Sequence, residues 1–291
     1  MTARSGDGGR LSIVSTPIGN LEDITLRALR TLREADVVLA EDTRRTRVLC
    51  QQHGLHCQLR AFHAHSDARA IELAIDELRA GKHLALVTDA GTPLLSDPGA
   101  QLVAAAHAAR LRVETIPGPS AITSALTVAG VAVDQFRFFG FLPRAGKRRR
   151  AALASLAQDP AACVLFESPH RLTATLTELA TMLEPDRQLA VCRELTKVHE
   201  EVVRGTASAL AEHFRDGARG EITLVIAGRI AADAEPDESE LDARLQELQA
   251  EGLSLRDAAS RIAHETGVRK QLVYARGLAL KGETPDPAEG D

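Results

Sequence analysis

Short apolar runs, each closed by Gly, Pro, Asp or Ser, alternate along this chain with longer stretches of helical spacing. Runs bounded by turn formers mark buried strands, and apolar residues three or four apart mark helices that bury one face. Leu84–Val87, the loop Thr88–Gly99, a helix over Ala100–Ala109, Val113–Ile116 and the turn PGPS form one strand–loop–helix–strand unit. Before it, residues 11–16 (LSIVST) read as a first strand. A helix follows from about Asp23, which suits its cap or first turn, with Ile24, Leu26, Leu29 and Leu32 in helical register. Val37–Ala40 is a second strand, Arg44–His53 a helix stopped by Gly54, Leu59–Phe62 a third strand and Asp67–Ala80 a helix closed by Gly81. Five strands alternating with helices predict a largely parallel sheet covered on both faces.

The pattern changes after the helix Ala121–Ala129. FRFFGF (136–141) reads as a strand with phenylalanines packed on both faces, RAGKRRR as a basic loop and Arg149–Gln158 as a helix. Cys163–Phe166, Leu189–Cys192, Glu201–Arg204 and Ile222–Ala227 are further strands, and Leu172–Leu183 and Ala207–Phe214 further helices. The closer strand spacing predicts a mixed sheet. The expected organisation is a disordered tail at 1–10, α/β domains at 11–118 and 119–230, an acidic linker at 231–240, a helical module at 241–282 and a tail at 283–291.

Composition narrows the function little. The 291 residues are 44% hydrophobic and 26% charged, ordinary for a globular protein, with no run long enough for a membrane span and no signal peptide in MTARSGDGGR. Cys50, Cys57, Cys163 and Cys192 lack zinc-site spacing and read as reduced thiols of a cytoplasmic protein; no metal is expected. A net charge of −5 argues against wholesale polyanion binding but leaves room for basic patches. With no Trp and one Tyr, a stacking platform for single strands is not expected.

The chemistry belongs to the loops at the ends of strands, because ligands of open α/β sheets bind at the carboxyl edge. TPIGN holds one glycine, Gly19, and so fits neither the dinucleotide fingerprint nor a phosphate-binding loop. DAGTPLLSDPG is more specific. Gly91 permits a positive φ or close approach of a ligand to the backbone. Thr92 and Ser96 offer hydroxyls to an amino-acid-like moiety, and Asp89 or Asp97 can answer an ammonium, although Asp97 also suits a helix cap. His170 in ESPHR reads as a loop histidine rather than a catalyst.

Taken together and in order, STPIGNLEDIT, AEDTRRT, DAGTPLLSDPG, PGPSA, a Phe-rich strand leading to LPR and a Lys/Arg run, ESPHR, CRELTK and GEITLVI carry a resemblance. From Leu11 to about Arg229 the chain resembles the ribosomal RNA small subunit methyltransferase I family, ribose 2′-O-methyltransferases of the tetrapyrrole-methylase-like fold. The resemblance implies two α/β domains with S-adenosylmethionine in the cleft between them, a homodimer, and a cytidine of the 16S rRNA decoding region in the 30S subunit as acceptor. Carried over by position, the cofactor would meet Pro17, Gly19, Gly91, Thr92, Leu95, Ser96, Ser120 and Ala121, with Phe166, Leu195, Ile222 and Thr223 lining the adenosine side.

Methyl transfer from a sulfonium is an in-line displacement in which positioning supplies much of the catalysis, up to about 7–11 kcal/mol in favourable systems. A ribose hydroxyl is a poor nucleophile, so a base or a cation beside the forming alkoxide helps. Glu41, Asp42, Glu167, Glu194 and Lys197 are loop candidates, and no catalytic residue is assigned among them. Glu41 and Asp42 can equally organise Arg44 and Arg45 in an ion-pair network. For RNA, Gln135–Gln158 carries six basic residues and no acidic one, with Arg144, Lys147, Arg148, Arg149 and Arg150 crowded together. Such mutual repulsion suits phosphate contacts, and Arg44 and its neighbours form a second patch. Leu255, Ala258, Ala259 and Ile262, then Gly267 and Val273, have helix-turn-helix spacing within a segment of local charge +4. Two rival readings remain: a methyltransferase acting on a tetrapyrrole, and a non-catalytic RNA-binding assembly factor.

Overall fold

The computed structural model describes residues 9–63, 68–94, 99–229, 238–266, 268 and 270–280. The tail residues 1–8 and 281–291, most of the acidic linker, Gly267, and Leu95, Ser96 and Asp97 of the DAGTPLLSDPG loop lie outside these. The chain divides into two compact units, Met1–Arg229 and Ile230–Asp291.

The first unit begins with an all-parallel sheet of β1 (Arg10–Val14), β2 (Val37–Ala40), β3 (Leu59–Ala61), β4 (His83–Val87) and β5 (Arg112–Ile116), in the order β3-β2-β4-β1-β5. Its helices are α1 (Leu26–Glu34), α2 (Thr43–Gln52), α3 (Ala68–Arg79) and α4 (Ala100–Ala108). Side chains alternate across the strands. Leu84 and Leu86 join Leu11, Leu39 and residues of α3 and α4 on one face, while Ala85 and Val87 join Val14, Val38 and residues of α1 and α2 on the other. Two apolar faces explain why β2 and β4 read as unbroken apolar runs. The cap of α1 is Thr25, whose hydroxyl accepts from the Ala28 N–H at 3.0 Å, rather than Asp23. Gly9 and Arg10, expected in the tail, belong to the sheet region: Gly9 bonds to the Leu78 carbonyl, and Arg10 is already in β1.

After α5 (Ala121–Val128) comes a mixed sheet, ordered β6-β7-β10-β8-β9: β6 (Phe136–Phe141), β7 (Ala162–Glu167), β8 (Gln188–Arg193), β9 (Glu201–Thr206) and β10 (Ile222–Ile226). Only β6 and β7 run parallel in it. One face packs on α6 (Gly146–Gln158), α7 (Leu172–Ala180) and α8 (Ala207–His213). The opposite face packs on Ile122 and Ala125 of α5 and on Ile18, which arrives from the loop after β1. Two expectations are corrected here. Because β6 is an edge strand, Phe136 and Phe141 are 48% and 58% exposed rather than core. The basic run from Gly146 onward is the start of α6 rather than a loop.

The described residues of the second unit form three helices, α9 (Glu238–Ala250), α10 (Leu255–Thr266) and α11 (Lys270–Leu280), so the last of the expected linker residues are helical. Leu241, Leu245, Leu248, Ala258, Ala259, Ile262 and Val273 form its core. The Ser254 hydroxyl accepts from the Asp257 N–H at 3.1 Å and caps α10, while Arg276 of α11 reaches Asp242 of α9 with two bonds of 2.8 Å. Among the described residues, no helix is long and apolar enough to cross a membrane.

Candidate functional site

Because the first sheet is parallel, the loops after β1, β2, β4 and β5 all leave from one edge. There the TPIGN and DAGTP loops interlock. Thr16 and Gly91 exchange backbone bonds of 2.9 and 3.0 Å, and the Thr16 hydroxyl donates to the Thr88 carbonyl at 3.2 Å. The Ser15 and Thr92 hydroxyls lie 3.1 Å apart, and Thr92 donates to the Pro119 carbonyl at 3.3 Å. Gly91 sits at φ +79°, the left-handed region where a Cβ costs about 1–2 kcal/mol. Of the two roles that the sequence left open for this glycine, a positive φ or close approach of a ligand, the positive φ is present.

The same loops meet the second sheet. Ile18, 6% exposed, enters its core, and the Asn20 N–H donates to the Thr196 hydroxyl at 3.0 Å. A Cβ on Gly19 would stand 2.5 Å from Lys197 Cγ and 2.9 Å from the Leu195 carbonyl oxygen, so the two loops touch backbone to backbone. The CRELTK loop bends to allow this, holding Glu194 and Thr196 at φ +51° and +66°. Left-handed non-glycine residues cost free energy that surrounding contacts must offset, and they concentrate at functional sites.

Between these loops lies a cavity of about 380 Å³. Of the residues the family resemblance assigned to the cofactor, Gly91, Thr92, Ser120, Ala121, Phe166, Leu195, Ile222 and Thr223 line it. Pro17 and Gly19 line an adjoining cavity of about 280 Å³, which shares Ile18, Arg45, Asp89, Ala90 and Glu221 with the first. Leu95 and Ser96 lie outside the described residues. Residues that the sequence reading left out also face the larger cavity, among them Phe141, Cys192 and Glu221. Topology brings them in. β10 runs antiparallel to β7 and β8, so its beginning lies beside their ends, with Ile222 paired to both Glu167 and Arg193. Phe141 ends β6 opposite Phe166, their rings 5.5 Å apart. The ending of a strand by a large apolar side chain was the available signal, but it needed the strand order.

Charge is concentrated at the junction of the two cavities. The Asp42 backbone N–H donates to Asp89 Oδ1 at 2.9 Å, and Arg45 Nε stands 3.6 Å from Asp89 Oδ2. Glu41 Oε2 accepts from the Thr88 hydroxyl at 2.8 Å. Burial and then the charge of Glu41 raise the Asp89 carboxyl above the usual aspartate value, against the Asp42 N–H and Arg45, which lower it. Asp42 is the opposite case: its hydrogen bonds from Arg44 hold it at about 2. The expected ion-pair network is thus present with different pairs, Asp42 with Arg44 and Asp89 with Arg45.

The remaining base candidates are occupied. Glu167 has no exposed side-chain surface and accepts from the Thr175 hydroxyl at 2.6 Å and the Ser168 N–H at 2.8 Å, with Arg171 at 3.3 Å. Lys197 donates to Glu194 at 2.8 Å and Glu221 at 3.0 Å. Burial pulls its ammonium down, but these bonds outweigh it and hold Lys197 above the usual lysine value. The bond from Lys197, then that from the Glu221 N–H, lowers Glu194. Lys197 is therefore a cation, and Glu194 its counter-ion.

The basic residues separate into two kinds. Arg44, Arg144, Lys147 and Arg148 are exposed. Arg149 is 6% exposed and points inward, a correction to its expected place among the phosphate contacts. Its guanidinium donates to Glu178 at 2.9 Å, the Thr175 hydroxyl at 3.0 Å and the Pro143 carbonyl at 3.2 Å, tying α6 to α7. Helical spacing turns one residue of the run toward the core while its neighbours face water.

Residues 10–211 match the profile of the Tetrapyrrole (Corrin/Porphyrin) Methylases, and residues 235–281 that of the RsmI C-terminal HTH domain. The chain is 42% identical over 278 residues to the ribosomal RNA small subunit methyltransferase I of Synechocystis sp., covering 94% of this chain and 99% of that one. It is 46% identical over 222 residues to the Thermotoga maritima protein of the same name, covering 76% of this chain and 99% of the relative. In fold it resembles the Thermus thermophilus uroporphyrin-III C-methyltransferase solved with S-adenosylhomocysteine, at a TM-score of 0.55 and 20% identity, over 75% of this chain and 97% of that one.

Proposed function

Because the chain belongs to the ribosomal RNA small subunit methyltransferase I family, within the tetrapyrrole methylases, we propose that it methylates the ribose 2′-oxygen of a cytidine in the decoding region of 16S rRNA. It is a methyltransferase, and S-adenosylmethionine is its methyl donor. When bound, that donor supplies an electrophilic methyl on a sulfonium.

The observation that carries the reading is the character of the larger cavity. Its volume falls within the usual range of about 300–1,000 Å³ for small-molecule sites. Ile18, Ala121, Ile122, Phe166, Leu195 and Ile222 offer apolar walls to an adenine ring, and Thr92, Ser120 and Thr223 offer hydroxyls to a ribose or amino-acid end. Among the described residues, four carboxylates line the cavity, Glu41, Asp89, Glu167 and Glu221, against one guanidinium, Arg45, a balance that suits a cationic donor. The twelve residues named from the family resemblance, Leu95 and Ser96 among them, form the donor site. The parallel and mixed sheets are the two α/β domains that enclose it.

Arg44, Arg144, Lys147 and Arg148 supply the phosphate contacts that hold the RNA. Exposed cations beyond Phe141, at the end of a strand that reaches the cavity, favour RNA over a tetrapyrrole as acceptor. The protein acts in the cytoplasm, as a homodimer, on the small ribosomal subunit. Transfer of labelled methyl from S-adenosylmethionine to 30S particles, followed by alkaline hydrolysis, tests the chemistry. Label retained in alkali-resistant dinucleotides is the expected result, and label confined to a base or absent altogether refutes it.

A further inference from the structure

Within that reading, a hydroxyl must lose its proton as it is methylated, and the geometry points to Asp89 as the carboxylate that receives it, positioned by Arg45 and the Asp42 N–H. Among the described residues, the carboxylates lining the two cavities are Glu41, Asp89, Glu167 and Glu221. Glu167 is closed off, with Thr175, Ser168 and Arg171 on its oxygens and no exposed side-chain surface. Glu221 is 62% exposed and held by the Lys197 ammonium at 3.0 Å, a solvated acid fixed as a counter-ion. Glu41 is turned to the Thr88 hydroxyl and the Asp89 N–H.

Asp89 differs from all three. It lines both cavities, and its side chain keeps 27% of its surface exposed. Oδ1 accepts the Asp42 N–H at 2.9 Å, which fixes the carboxylate plane. Oδ2 is 3.6 Å from Arg45 Nε, beyond hydrogen-bond reach, and so retains a lone pair for a substrate hydroxyl. The groups that face it are Glu41, Asp42 and Arg45, and burial together with Glu41 makes it more basic than an ordinary aspartate. Neighbouring carboxylates pushed apart in this way, with Asp42 near 2 and Asp89 raised, are the usual arrangement of an acid–base site. In the step, the O2′–methyl bond forms as the sulfur–methyl bond breaks and its electron pair stays on sulfur. The hydroxyl proton passes to Asp89 Oδ2 and then to solvent.

The test is Asp89→Asn, which keeps the acceptor for the Asp42 N–H, with Glu41→Gln beside it. Turnover on 30S particles falls about 10²–10⁴-fold in Asp89→Asn, the range of a lost general base. The acidic limb of its pH profile disappears, and calorimetry shows a loss of affinity for S-adenosylmethionine far smaller than the loss of turnover. In Glu41→Gln the limb moves to lower pH, because a neighbouring negative charge has gone. Carbon-13 NMR of the protein without donor finds Asp89 titrating above the ordinary aspartate value, and lower again in Glu41→Gln. Undiminished turnover in Asp89→Asn, or a loss that arises wholly from weaker donor binding, overturns the assignment; the latter makes Asp89 the ammonium partner. Wild-type protein that places no label on a 2′-oxygen overturns the underlying reading instead. Label present in the wild type and unchanged in the variant overturns only the role of Asp89.

Discussion

The parallel sheet meets the cavity with the loops and helix starts that follow its strands, whereas the mixed sheet meets it largely with strand ends, Phe141, Phe166 and Ile222 among them. Gly91, Thr92 and Ser120 come from loops that follow parallel strands, at an edge where the turns themselves line the cavity. Phe166, Cys192 and Ile222 are strand residues, exposed to the cavity because antiparallel neighbours place starts beside ends. A loop can therefore shape close contacts to polar groups, while strand ends give a rigid apolar wall. Ile18 and Gly19 connect the two, one as an apolar plug and the other as the closest point of backbone approach.

The most disruptive way to break this comparison is to remove the plug. Ile18→Ala leaves a hole in the core of the mixed sheet, although residue 18 follows the parallel one, and is expected to cost about 2–5 kcal/mol. Urea denaturation measures it, and a loss below about 1 kcal/mol would mean that the sheets do not share this core. Next comes Arg149→Ala, which strands Glu178 and the Pro143 carbonyl and is expected to cost about 1.5–3 kcal/mol, as for hydrogen bonds to charged groups. Arg148→Ala on the same helix leaves the unfolding midpoint unchanged and instead flattens the salt dependence of RNA binding by about one unit of slope. Equal effects of the two on stability would erase the distinction between inward and outward cations.

Gly91→Ala is smaller. Its Cβ would sit 3.4 Å from Ile18 Cγ2 in a left-handed backbone, so about 1–2 kcal/mol of strain falls on the loop proposed to hold the donor. Thermal melting and calorimetry with S-adenosylmethionine should both register it, whereas Gly54→Ala, equally left-handed but with open space around it, affects melting alone.

The smallest effect lies at the opposite edge of the parallel sheet. His83 is 8% exposed, lies 2.8 Å from the Ser12 hydroxyl and 3.1 Å from Arg10, and is lowered first by burial and then by the Arg10 charge. A histidine lowered in the folded state adds stability above its unfolded value, about 6.5, and that contribution is lost as pH falls from there through the folded value. The melting temperature should therefore drop on acidification below about pH 6.5, and His83→Gln should flatten the drop. A slope identical in the variant would exclude His83 as its source.

How much of this was legible in the chain follows from the range of each interaction. Val37–Ala40 and Leu84–Val87 were readable as strands because two-sided burial writes itself into consecutive apolar residues. The positive φ at Gly91 was readable because few residues but glycine tolerate it. The helical start of the basic run was not, since Ala145 offers no side-chain cap and α6 begins without the usual signal. Nor were the exposed rings of β6, because an edge strand and a central one carry the same local pattern.

By itself the sequence determined the alternation of strands and helices, the loops that carry chemistry and, through its ordered motifs, the family, since these depend on neighbours a few residues apart. Only the tertiary structure decided that Ile18 belongs to the other sheet's core, that Arg149 faces inward, and that Asp89 stands between Glu41 and Arg45. Those outcomes depend on groups far apart in the chain meeting at short distance, and spacing along one segment does not encode which distant segment will come to lie beside it.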